Sequence, residues 1–131
     1  MERPDVKPLA LVALIAFAAG AAIADTEGGL SAFKEGDFAK ALKELTAPAK
    51  QGGGNAMFLL GKMYSAGLGV TKDTGKAAKL FARSAEAGSI PGQYEYGTAL
   101  AIGEGVELNM VDSFKWLILS ARGGHSAARV M

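Results

Sequence analysis

Gly61-Lys62-Met63-Tyr64-Ser65-Ala66-Gly67-Leu68-Gly69-Val70-Thr71-Lys72-Asp73 returns 36 residues later as Gly97-Thr98-Ala99-Leu100-Ala101-Ile102-Gly103-Glu104-Gly105-Val106-Glu107-Leu108-Asn109. Worked outward at the same offset, the chain yields further columns. Asp37, Asp73 and Asn109 form one, Ala49, Ala85 and Ala121 a second, and Gly52, Gly88 and Gly124 a third. Four residues after those glycines come Ala56, Gly92 and Ala128. Coincidences of Ala alone carry little weight in so Ala-rich a chain. A whole Gly-x-Gly-Val loop and a column of helix-capping residues carry much more. A fixed period in this range means stacked supersecondary units.

Each column has a physical reading. Asp37, Asp73 and Asn109 precede apolar-periodic runs, where their side-chain oxygens can accept the free N–H groups of a helix start. The runs are Phe38, Ala41, Leu42, Leu45 and Ala49, then Ala77, Ala78, Phe81 and Ala85, then Phe114, Leu117, Ile118 and Ala121. Their spacings of three and four give one-sided stripes, and this helix is termed helix B. Gly52, Gly88 and Gly124 then end it. Pro48 removes a backbone donor inside the first helix B and predicts a kink or an early end there. The other helix of each unit, helix A, is predicted from about Asn55 to Ala66 and from about Pro91 to Ile102, with Pro91 in the first turn. Gly61 and Gly97 recur mid-helix at one phase, which implies a neighbouring helix too close for a side chain.

Composition narrows the function classes. The 131 residues hold 14 Lys+Arg, 13 Asp+Glu, one His and no Cys. A net charge of +1 supplies no broad basic footprint, so no nucleic-acid partner is expected. Without Cys there are no disulfides, thiol nucleophiles or thiolate metal sites, and a single His leaves little for imidazole chemistry. No cofactor and no metal are expected.

The amino terminus reads as a targeting signal. Leu9 to Ala24 carry no charge, Arg3 and Lys7 precede them, and Ala22-Ile23-Ala24 ends the run before Asp25. A basic n-region, an apolar h-region and small residues at −3 and −1 are the secretory pattern. As helix the stretch spans roughly 24 Å, short of the ~30 Å hydrocarbon core, so no stable membrane span is expected after cleavage. Glu2 and Asp5 offset the two basic side chains, the one feature against a signal. Residues 1–24 are thus read as a signal peptide and 25–131 as the domain, with a periplasmic or secreted destination.

Gly61-x-x-Tyr64-x-x-Gly67-x-Gly69-Val70-x-x-Asp73, followed by Ala77 to Ala85-x-x-Gly88, resembles the SEL-one-like repeat (SLR), a longer-period relative of the tetratricopeptide repeat. Gly97 to Gly124 is similar, with Trp116 eight residues before Gly124. It departs in having Leu100 for Tyr and Asn109 for Asp. The first copy is abbreviated, Phe33-Lys34-Glu35-Gly36-Asp37 joining its helices by a shorter turn. Units fall at about 30–54, 55–90 and 91–124, with a partial one at 125–131. The resemblance implies an all-α, right-handed superhelical stack of antiparallel helix pairs whose concave groove binds a protein or peptide partner. It also implies an adaptor or regulator role without catalysis.

Helix A positions off the apolar stripe are the candidate contacts: Asn55, Leu59 and Lys62, then Pro91, Glu95 and Thr98. Other sites read as ordinary structure. His125 reads as an exposed turn residue, and Glu104 and Glu107 as a solvated loop lacking the alternating carboxylates of a calcium site. Tyr64, Tyr96 and Trp116 are in phase with core stripes. The alternatives are an envelope hydrolase on the same scaffold, for which no nucleophile–base pattern is evident, and a truncated fragment of a longer SLR protein. The stripe on Phe114, Leu117 and Ile118 has little sequence after it to cover it. The stub that follows could act as a cap, or the uncapped C-terminal end could promote self-association or contact with a partner.

Overall fold

The computed structural model describes residues 26–130, and regular structure among them is helical throughout. Helix α1 occupies 26–35, followed by α2 (Phe38–Lys50), α3 (Gly54–Ala66), α4 (Thr74–Glu86), α5 (Ile90–Ile102), α6 (Met110–Arg122) and α7 (Ser126–Arg129). The helices pack in sequence order, α3 on α4 and α5 on α6, with α2–α3 and α4–α5 joining the pairs. The A helices α3 and α5 also touch each other directly. The result is a helical-repeat solenoid. The expected signal peptide, residues 1–24, and its cleavage position lie outside the described residues.

Helix A runs one residue earlier than predicted in both later units, and α1 is already formed at residue 26, ahead of the unit boundary expected near 30. The B helices begin as their column requires. Asp37, Asp73 and Asn109 accept from the backbone N–H groups of Lys40, Lys76 and Asp112 at 3.2, 3.0 and 3.0 Å. They also end alike. Gly52, Gly88 and Gly124 take φ of 89, 89 and 100°, and the next residue donates back to the carbonyl five positions earlier, closing a Schellman-type exit. Pro48 does not shorten α2, which has the 13 residues of α4 and α6. It sits in the last turn, where one lost donor is tolerated, and its own carbonyl still accepts the exit bond from Gly53 at 2.9 Å.

Contacts between helices repeat as faithfully as their ends. A Cβ on Gly61 would meet the ring of Phe81, and one on Gly97 would lie 2.9 Å from Leu117 Cγ, 36 residues further on in both partners. These are the close crossings that the mid-helix glycines predict. Ser84 Oγ donates to the Gly54 carbonyl at 2.6 Å, and Ser120 Oγ to the Ile90 carbonyl at 3.0 Å, again in register. Between units, the second glycine of each Gly-x-Gly loop abuts the start of the preceding helix B. Gly69 lies on Phe38, and Gly105 lies on Thr74.

The core is richest at the amino-terminal end, where Ala41, Leu45, Ala56, Met57, Leu60 and Met63 form one buried cluster under α1. Gly29 gives α1 its close approach to Leu45. Burial then thins along the stack. On α6 only Ser113 and Ser120 are fully buried, while Phe114 and Ile118 stay 59% and 50% exposed.

Candidate functional site

A cavity of about 630 Å³ opens where α1 passes the amino-terminal ends of α3 and α5. Leu30, Phe58, Leu59 and Pro91 supply its apolar wall, and Glu27, Asn55 and Ser89 its polar groups. The local sequence explains the opening. The Gly52-Gly53-Gly54 turn and the Ala87-Gly88 turn carry almost no side-chain volume, so nothing fills the space between consecutive helix A starts. Ser89 fixes one rim. Its hydroxyl donates to Asn55 Oδ1 at 3.0 Å and accepts from the Gly92 N–H at 3.3 Å. Cavities of this size, mostly apolar with a few placed polar groups, are the usual form of a binding site.

The six candidate contacts separate into three places. Asn55, Leu59 and Pro91 come together in the cavity wall. Leu59 is not on an open surface: it is 4% exposed and belongs to the core cluster. It shares that cluster with Ala32 of α1, so this flank of α3 is interior and not open surface. Lys62 and Glu95 meet each other at 3.2 Å, bridging α3 to α5 with side chains 42% and 25% exposed. Thr98 donates to its own helix at the Tyr94 carbonyl and borders, with Glu95, a recess of about 40 Å³. Glu27, Leu30, Phe58 and Ser89 were missed. Phe58, a large apolar residue beside Leu59 and off the stripe, was a legible hint, whereas Glu27 and Leu30 gave none because helix α1 was placed too late.

His125 departs from its reading as an exposed turn residue. It is half-buried, its ring stacks on Tyr94 with centroids 4.3 Å apart, and its Nδ1 accepts from the Ala128 N–H at 3.4 Å as the N-cap of α7. Its imidazole is therefore occupied structurally. Trp116 packs on Tyr96 at 5.9 Å, and Tyr64 carries the Lys76 ammonium 4.4 Å from its ring centre. Among the described residues no group of three or more His, Asp or Glu could hold a metal ion, and no helix is long and apolar enough to cross a membrane.

The same 36-residue unit decides the family. Residues 54–89 and 90–125 each match the Sel1 repeat. The chain belongs to the Sel1 repeat family. Among solved structures, a Sel1 repeat protein from Oxalobacter formigenes is 30% identical, with a TM-score of 0.74 over 80% of this chain and 43% of its own. A protective antigen present in uropathogenic Escherichia coli strains, displaying an SLR fold, is also 30% identical, with a TM-score of 0.74 over 83% of this chain and 24% of that one. Cysteine rich protein B of Helicobacter pylori shares the fold at 23% identity, with a TM-score of 0.72 over 90% of this chain and 91% of its own. The Sel1 repeat chain thus spans less than half the length of the first two. No protein of curated function matches it.

Proposed function

We propose that this Sel1 repeat chain is an exported, non-catalytic interaction module that holds a protein or peptide segment along its helix A side. The observation that carries the reading is the cavity between α1, α3 and α5, which combines an apolar wall with one carboxylate, Glu27, and a fixed amide, Asn55. That chemistry suits an apolar side chain followed by a basic group. Lys62 and Glu95 then form a polar floor further along the same side. The family supplies a scaffold for protein contacts, and the n-region, h-region and Ala22-x-Ala24 pattern supports passage into the periplasm or medium with cleavage after Ala24.

The test is selection of displayed random peptides on the immobilised full chain, repeated on a Glu27→Arg/Asn55→Arg variant with an unchanged circular dichroism spectrum. Both residues are exposed, so the fold should tolerate the change. Peptides pairing an apolar with a basic residue should be enriched on the natural chain and lost on the variant. Enrichment that survives the variant, or none on either, would remove the cavity from the reading. Export is checked separately by the mass of the protein recovered from periplasm or medium, which should begin at Asp25.

A further inference from the structure

Charge on this molecule is sorted by helix type. Helices α2, α4 and α6 carry eight Lys and Arg against three acidic residues, Glu44, Glu86 and Asp112, and all eight cations are exposed. Over the described part of α1, α3 and α5 the balance reverses, with Glu27, Glu35 and Glu95 against Lys34 and Lys62. The cations on the helix B side are also in register. Lys43, Lys79 and Lys115 occupy one column at the repeat period, opposite the buried stripe of each helix.

The outer face of α6 adds a second property. Val111, Ile118 and Leu119 stand 67, 50 and 46% exposed. One period earlier the same positions hold Gly75, Ala82 and Arg83, and two periods earlier Ala39, Thr46 and Ala47. Arg83 and Ala47 are exposed and Ala82 and Thr46 half-buried, whereas Gly75 lies against Gly105 of the following unit. Leu119, and in part Ile118, therefore stand where earlier units keep open surface, unlike Phe114, which occupies the position of buried Ala78. They lie interleaved with Lys115 and Arg122 at helical spacing. Only Asp112 on this helix is acidic, and it already pairs with Lys115 at 3.4 Å.

We propose that the outer face of α6, continued by the basic outer faces of α4 and α2, docks on the surface of an anionic lipid bilayer. An interfacial helix needs both elements, apolar side chains that enter the headgroup boundary and cations that meet anionic headgroups. A soluble polyanion would use the lysine column but gain nothing from Val111, Ile118 and Leu119. A two-fold pairing of α6 with a second copy would bury the apolar residues but bring Lys115 and Arg122 of both copies into one seam. The bilayer satisfies both sets of residues.

The absence of Cys makes a site-local test direct. Full-length protein carrying Val111→Cys is labelled with a fluorophore that brightens in lipid, alongside protein labelled at Asn55→Cys on the helix A side. With phosphatidylglycerol-containing vesicles at low salt, the label at 111 should brighten and the label at 55 should not, whatever the amino-terminal segment does. Pure phosphatidylcholine vesicles should give no response at 111. Each of Lys43→Gln, Lys79→Gln and Lys115→Gln should weaken the response about fivefold, and Ile118→Ser/Leu119→Ser should abolish it. These side chains are exposed, so folding is checked only by circular dichroism. Four results would overturn the proposal: silence at 111 on anionic vesicles, equal brightening on neutral ones, binding indifferent to Ile118→Ser/Leu119→Ser, or brightening at 111 without vesicles that tracks dimer formation in light scattering.

Discussion

Alanine placed separately at the two glycines of the Gly103-Glu104-Gly105 loop isolates the contact that joins one unit to the next. Both glycines have φ of +70°, so either alanine incurs the left-handed backbone penalty of about 1–2 kcal/mol. Their surroundings differ. A Cβ on Gly103 would find Leu108 Cβ at 3.4 Å, an ordinary contact, whereas a Cβ on Gly105 would be driven into the Thr74 carbonyl oxygen and has Gly75 N at 3.0 Å. The obstacle is backbone at the first turn of α4, which cannot rotate aside. Overpacking of this kind adds about 1–3 kcal/mol. With about 4–8 °C of midpoint per kcal/mol for a domain of this size, Gly103→Ala should melt about 5–15 °C low and Gly105→Ala about twice that. Thermal unfolding followed at 222 nm reads both. Gly69→Ala should fall between them, because its nearest obstacle, the Phe38 Cβ, lies at 2.7 Å and the Phe38 backbone at 3.2 Å, a milder clash than the one at Gly105. Equal losses at 103 and 105 would refute the reasoning, leaving backbone conformation as the whole effect.

Three further outcomes follow from contacts already described. Ser84→Ala removes a buried hydroxyl 2.6 Å from the Gly54 carbonyl and should cost about 1 kcal/mol in denaturant unfolding, with Ser120→Ala similar or smaller at its longer bond. His125→Ala should speed amide exchange in 126–129 while α3 and α4 stay unchanged, and His125→Asn, which retains a capping oxygen but loses the Tyr94 stack, should recover part of the protection. A double-mutant cycle on Lys62 and Glu95 should give a coupling below about 1 kcal/mol that fades with added salt, since both side chains are partly solvated.

What the sequence made legible was whatever is local and repeated. A capping Asp, a positive-φ glycine at a helix exit and a glycine at a close crossing each impose a residue type at a fixed offset, and two or three copies remove the ambiguity of one. These columns together therefore placed five helices to within a residue or two. The site was less legible because it depends on what lies between units. Leu59 falls off the stripe of α3 yet is buried, in a cluster that also gathers Ala32 of α1 and Leu45 of α2 and that no column announces. His125 looked free because its partner, Tyr94, is 31 positions earlier and comes beneath it only when the chain after α6 folds back over α5. Pro48 looked disruptive because it forfeits the bond to the carbonyl four positions earlier, yet so near the helix end only that one bond is lost and the Pro48 carbonyl still accepts the exit bond from Gly53.

The contact of each Gly-x-Gly loop with the preceding helix B bears on how such a chain can change length. Gly69 meets Phe38 and Gly105 meets Thr74 at equivalent places, although the residues met differ in size and polarity. The joint is made by backbone proximity rather than by a matched pair of side chains, so it is indifferent to which unit stands on either side. A duplicate of residues 54–89 inserted after residue 89 would present the same glycine to the same first turn at both new junctions. Unit number can then drift by whole-period duplication or deletion with the loop joints intact, and what such an event changes is the pairing between helix A neighbours, as at Lys62 and Glu95.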